Sequence, residues 1–233
     1  VGSEMCIRDS VDSICKFFTK DLHAIQIVWG YLLGINVTLW IFFFFKGEKL
    51  ARLSLTNKLS LQLIRPAFLI CSISSLFIGL TYLPIAEATA IGFVAPLFIT
   101  ALSVPILGAR VGIWRWAAVI IGFLGILLIM NVGTNLFNIF ALLPLGAALG
   151  YALSSVLVKL FSNEVPTAQI QLYTQAITLV SATALLIMFS GYSPIVSVTD
   201  FLLISLMGIS GGCGVLCLIS AYRMTEPVSY THL

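Results

Sequence analysis

AIQIVWGYLLGINVTLWIFFFF, residues 24–45, contains no Asp, Glu, Lys or Arg. Coiled as a helix at about 1.5 Å per residue, such a run reaches across the roughly 30 Å hydrocarbon core of a bilayer. The same interval recurs. Residues 66–86, 88–109, 167–189 and 201–222 are also uncharged, and 116–158 is an uncharged run long enough for two crossings. The polar stretch Asn131, Val132, Gly133, Thr134, Asn135 supplies the turn between those two. Seven complete spans are expected. They are helices, because a helix satisfies its own backbone groups in lipid and each segment is about twice the length of a barrel strand.

Composition agrees with that reading. Of 233 residues, 60% are hydrophobic and only 9% charged, against roughly a quarter charged in a soluble domain. Basic residues alternate by side. Lys46, Lys49, Arg52, Lys58, Arg65, Arg110, Arg115, Lys159 and Arg223 all fall at alternate ends of the spans, and short loops rich in Lys and Arg stay cytoplasmic. The net charge of +3 therefore follows from topology, and no basic stripe points to nucleic acid.

A weak internal repeat appears at an offset of about 140 residues. Asp12 to Phe18 aligns with Ser155 to Phe161, Ala24 and Trp29 with Ala168 and Tyr173, and Thr81, Tyr82 and Glu87 with Ala221, Tyr222 and Glu226. Residues 11–131 then form one unit and 136–227 a second that stops before its last two helices, each unit having five helices when whole. An odd number of helices per unit turns the second copy upside down in the membrane, the inverted repeat of many secondary transporters. Residues 1–10 and 228–233 fit neither unit and are expected to be non-native, adapter-derived tails.

Residues 80–102 (LTYLPIAEATAIGFVAPLFITAL), 107–129 (LGARVGIWRWAAVIIGFLGILLI) and 221–227 (AYRMTEP) resemble the EamA-type branch of the drug/metabolite transporter superfamily in order and spacing. The resemblance runs from Val11 to Pro227. It implies an all-α polytopic membrane protein with a ten-helix fold of two inverted five-helix repeats, in which helices two to eight are whole here, helix one is a remnant over 11–18, and Pro227 opens a ninth. It also implies carriage of metabolites across a bacterial inner membrane. Two charges frequent in that family are missing: Ala109 stands within Leu107-Gly108-Ala109-Arg110, and Tyr31 stands near Trp29.

Glu87 is the acidic residue most closely flanked by long apolar segments, so it is the candidate for carrying a proton or meeting a cationic group. Pro84 opens a helix there, and a place in its first turn, eased by the helix dipole, explains Glu87 equally well. Trp29, Tyr82, Tyr151, Tyr173 and Tyr222 are candidates to line a substrate cavity, with interfacial aromatic belts as the plainer explanation. Gln171 and Gln175, one helical turn apart and flanked by Thr174 and Thr178, form a polar stripe that must face protein or water; Gln175 joins the candidate substrate contacts. Pro96 and Pro144 are expected inside helices, where each permits a bend. Gly146 with Gly150, and Gly208 with Gly212, read as close-packing pairs.

Catalysis finds no footing. His23 and His232 are the only histidines, and no paired carboxylates, zinc spacing or phosphate loop is present. Residues 201–222 hold no lysine for a retinal Schiff base. Cys213 and Cys217 share a helix face but lack His or acidic neighbours, and with Cys6, Cys15 and Cys71 they form no disulfide framework, so neither metal nor cofactor is expected. The expectation is a secondary-active transporter of a small metabolite or drug-like molecule working by alternating access, with the lipid bilayer and a second copy of the chain as further partners. A channel or a non-transporting membrane protein is the alternative.

Overall fold

A computed structural model describes residues 2–19, 22–46, 59–108, 111–129, 138–161, 167–189 and 197–225. Its described elements are α-helices: α1 (Gly2–Phe18), α2 (Ala24–Lys46), α3 (Leu59–Tyr82), α4 (Ile85–Gly92), α5 (Ala95–Leu107), α6 (Ile113–Ile129), α7 (Leu142–Phe161), α8 (Thr167–Phe189) and α9 (Val198–Thr225), with a 3₁₀ turn at Ile139–Ala141 leading into α7. The protein is an all-α, multi-pass integral membrane protein. Among the described residues six helical stretches are long and apolar enough to cross a bilayer, with α4 and α5 counting together as one. The seventh expected span is α6, apolar but only 17 residues long. Residues 226–233 and the loop charges Lys49, Arg52, Lys58 and Arg110 lie outside the described residues. The helix at the N-terminal end begins at Gly2, ahead of the remnant expected over 11–18.

Lipid rather than water suits the outer surface. Phe44, Trp114, Leu128 and Ile187 are 84%, 87%, 78% and 73% exposed, and apolar area on that scale is what marks a membrane-facing surface. Polar side chains turn inward: Gln26, Asn36, Arg65, Ser72, Ser154, Thr174, Gln175 and Thr178 are buried.

The proline positions differ from expectation. Pro96 cannot donate to the carbonyl one turn back and its ring crowds that turn, so the helix stops at Gly92 and restarts at Ala95 with Pro96 in the first turn of α5. Pro144 stands in the first turn of α7, where no N–H partner is required, and bends nothing in mid-helix. Among the described residues the prolines that do lie inside helices are Pro66, in α3, and Pro105, in α5. Helix α5 ends at Gly108, whose φ of 64° is left-handed and whose N–H caps Ser103 and Val104 carbonyls.

The most extensive packing joins the two halves of the chain: α2 against α9 and α8, and α3 against α7 and α8. The α2–α9 crossing is close. A Cβ placed on Gly34 would lie 2.6 Å from the Gly208 Cα and 2.5 Å from the Ser205 carbonyl oxygen. Only glycine on both sides permits that approach. Along α3–α7, Ser72 donates to the Ala147 carbonyl at 2.6 Å and Ser75 to that of Leu143 at 2.8 Å.

Gly34→Val is expected to lower stability by about 1–3 kcal/mol or more through overpacking of this crossing. Gly125→Ala, where a Cβ would meet nothing within 4 Å, is expected to be neutral or slightly stabilising. Equilibrium unfolding in detergent measures both.

Candidate functional site

Between the two halves lies a cavity of about 160 Å³ with walls from α1, α2, α3, α7, α8 and α9. Its position follows from the polar pattern. A side chain that cannot face lipid must face protein or water, so the polar stripes of several helices converge on one interior. Asp12 of α1, Tyr31 of α2, Ser72 of α3, Tyr151 of α7 and Gln171 and Gln175 of α8 supply its polar edges. Phe77, Ile35, Leu69 and Val215 supply apolar surface. The Tyr31 and Phe77 rings pack on one another with centroids 5.5 Å apart. Among the described residues the lining contains an acid and two amides but no Lys or Arg.

Arg65 closes one end of the interior. Early in α3, it is only 4% exposed. Its Nε donates to the Ser154 carbonyl of α7 at 3.2 Å, and Nη1 donates to the Thr174 hydroxyl. Nη2 donates to Gln171 Oε1 at 2.6 Å. One guanidinium thus binds α3 to α7 and α8. The planar fork of five donors is what makes arginine able to serve several acceptors at once. Arg65, expected among the cytoplasmic loop charges, is instead buried within the bundle.

Two further ties join α2 to α8. Trp29 Nε1 donates to the Thr183 hydroxyl at 3.0 Å. Asn36 Nδ2 donates to the Leu32 carbonyl at 2.8 Å and the Gln175 backbone carbonyl at 3.1 Å. The Asn36 Oδ1 and Gln175 Oε1 atoms are buried with no hydrogen-bond partner among the described residues.

Of the sequence candidates, the structure brings Tyr151 and Gln175 to the cavity wall, together with Tyr31 and Asp12. Trp29, with its N–H on Thr183, packs beside the main core cluster. Tyr82 is 56% exposed and stacks on Phe140 with centroids 4.1 Å apart and rings 9° from parallel. Glu87 sits half-buried in the first turn of α4. Tyr173 is half-buried on α8 without lining the cavity. Tyr222 belongs to α9, but its side chain lies outside the described residues. Residues not singled out beforehand as site residues, Asp12, Tyr31 and Ser72, join the wall. For Ser72 a polar residue within an apolar span was a signal; Asp12 precedes the uncharged segments, so the spacing of charges gave none.

The model of the EamA-like transporter family matches residues 11–131. The S-adenosylmethionine uptake transporter of Rickettsia felis is 26% identical over 228 residues, covering 95% of this chain and 75% of that protein. The riboflavin transporter of Vibrio cholerae is 33% identical over 117 residues, covering 49% of this chain and 39% of its own length. A riboflavin transporter of Rhizobium johnstonii is 38% identical over 81 residues, 35% of this chain and 27% of that one. No solved structure matches.

Arg65→Lys is expected to destabilise the bundle by at least about 2 kcal/mol, because one ammonium cannot replace a fork that reaches three helices and buried acceptors are left unpaired. The unfolding midpoint in detergent, compared with that of the parent chain, is the measurement.

Proposed function

The chain belongs to the EamA-like transporter family, and from that premise we propose that it carries its substrate by alternating access through the cavity between its two halves. It is a transporter of a small metabolite; the route, the motion and the place in the cell are the proposal. The observation that carries the route is the cavity itself, walled by helices from both halves. A site on the boundary between two bundles is open first to one side and then to the other when the bundles rock, with little change inside either.

The repeat organisation supports the same reading. If residues 11–131 and 136–227 are inverted copies, the pairings α2–α9 and α3–α7 cross the boundary about which they rock. The glycine crossing then acts as the pivot, since close backbones slide without interlocked side chains. Arg65 acts as the latch at the cytoplasmic end. A bacterial inner membrane is the location that fits relatives which are bacterial uptake transporters. Those relatives carry S-adenosylmethionine or riboflavin by name, and a related metabolite is the cargo proposed here.

Two tests follow. Val215→Trp, which fills the cavity, is expected to cut uptake into proteoliposomes at least tenfold. Leu202→Trp, on a surface that is 61% exposed, is expected to leave uptake unchanged; equal activity in both would remove the cavity as the route. For coupling, Glu87→Gln is expected to flatten the pH dependence of uptake if the α4 carboxylate carries the proton. An unchanged pH profile retires that role.

A further inference from the structure

The cavity's two glutamines are not equivalent. Gln171 Oε1 accepts from Arg65 Nη2 at 2.6 Å, so the terminal amide is held with its carbonyl toward the guanidinium and its N–H groups turned away from it as donors. Gln175, one turn further along α8, keeps Oε1 without a partner among the described residues while 97% of the residue is covered, its exposure being 3%. An unpaired buried carbonyl is costly, and a ligand N–H relieves it. Residues four apart lie side by side on a helix. Both residues line the cavity: the Gln171 amide brings donors to the wall, and the Gln175 carbonyl, covered in this conformation, is the acceptor that a ligand N–H would recruit.

Around that pair the lining is aromatic. Tyr31, Phe77 and Tyr151 all border the cavity, and stacking of a planar ring on such side chains favours any base or flavin without regard to its exact substituents. The volume, about 160 Å³, is below the roughly 300–1,000 Å³ of pockets that enclose whole ligands. This conformation has room for a ring system, with the remainder of the molecule extending out. An anionic anchor is poorly served: no Lys or Arg lines the described wall, and the donors of Arg65 are engaged by Ser154, Ile170, Thr174 and Gln171.

We propose that the cavity seats a planar nitrogen heterocycle, with Gln171 donating to and Gln175 accepting from adjacent groups on its edge, against the aromatic wall of Tyr31, Phe77 and Tyr151. The proposal rests on the carrier reading above and adds the substrate class. Adenine presents an exocyclic N–H beside a ring-nitrogen acceptor, and a flavin presents an imide N–H beside a carbonyl. S-adenosylmethionine and riboflavin, the named cargoes of the relatives, therefore share the one feature this wall reads. Arg65 acts as a positioning residue: by occupying the Gln171 acceptor it sets which way that amide faces.

The test is uptake of labelled S-adenosylmethionine and labelled riboflavin by the full chain in proteoliposomes. Adenosine, N6,N6-dimethyladenosine, unlabelled riboflavin and 3-methylriboflavin serve as competitors. At least one labelled compound is expected to be carried, and its uptake to fall at least tenfold in Gln171→Met and in Gln175→Met, near-isosteric changes whose folding is checked by unfolding in detergent. A competitor methylated on its ring edge is expected to be at least tenfold weaker than its parent against the unaltered chain and to draw level with it in Gln175→Met. A merely structural glutamine would not abolish that distinction. Normal uptake in both Met variants, or carriage limited to acyclic metabolites, overturns the heterocycle reading and leaves the carrier reading standing. Uptake that survives Val215→Trp removes both.

Discussion

Hydrocarbon accepts no unpaired polar group, and the organisation of this protein follows from that constraint. Backbone groups are satisfied by helix formation. The polar side chains have to be satisfied by neighbours, and they are gathered on the surfaces where α2, α3, α7, α8 and α9 meet. Arg65 is the extreme case: a guanidinium early in a membrane-spanning helix is tolerated because the Ser154 and Ile170 carbonyls, the Thr174 hydroxyl and the Gln171 amide surround it. These acceptors of partial negative charge are drawn from two other helices.

Adhesion between helices in lipid comes from close contact and hydrogen bonding, since lipid tails are as apolar as leucine. The two largest seams use these means differently. The α2–α9 seam relies on proximity, with Gly34 and Gly208 backbones nearly touching. The α3–α7 seam relies on serine hydroxyls donating to carbonyls of the opposite helix, each worth on the order of 1 kcal/mol. A bundle held by many weak, directional ties and smooth glycine surfaces suits the rocking of two halves proposed above. Deep interlocking of large side chains would oppose it.

The cavity is where this arrangement stays incomplete. Gln175 keeps an unsatisfied carbonyl within the polar stripe, and the aromatic rings leave a space that no side chain fills. In a well-packed interior both would be defects. On the reading proposed above, they are the features by which a polar, planar cargo is preferred over lipid tails or water.

Much was legible in the sequence. Uncharged runs of bilayer length fixed the membrane class and the span positions to within a few residues, because the distance across hydrocarbon is a property of the solvent and leaves its period in the chain. The Gln171–Gln175 stripe was visible because residues four apart share a helix face and polar side chains are excluded from lipid. Less was visible about where a span breaks: Pro96 marks the interruption at Gly92–Ala95, yet whether a proline bends a helix or restarts it depends on the carbonyl one turn back and its neighbours. Aromatic residues such as Trp29, Tyr82 and Tyr151 looked alike along the chain, and only packing separated the α2–α8 tie and the Phe140 stack from the cavity wall.

Sequence by itself determined that this chain lies in a membrane as a bundle of helices with its polar stripes turned inward, since local composition and helical period suffice for that. Tertiary structure decided which stripes meet. That Arg65 reaches Gln171, and that Asp12, Tyr31 and Tyr151 share one space, depends on contacts between residues far apart in the chain, and those are set by the joint packing of six helices that no single segment encodes.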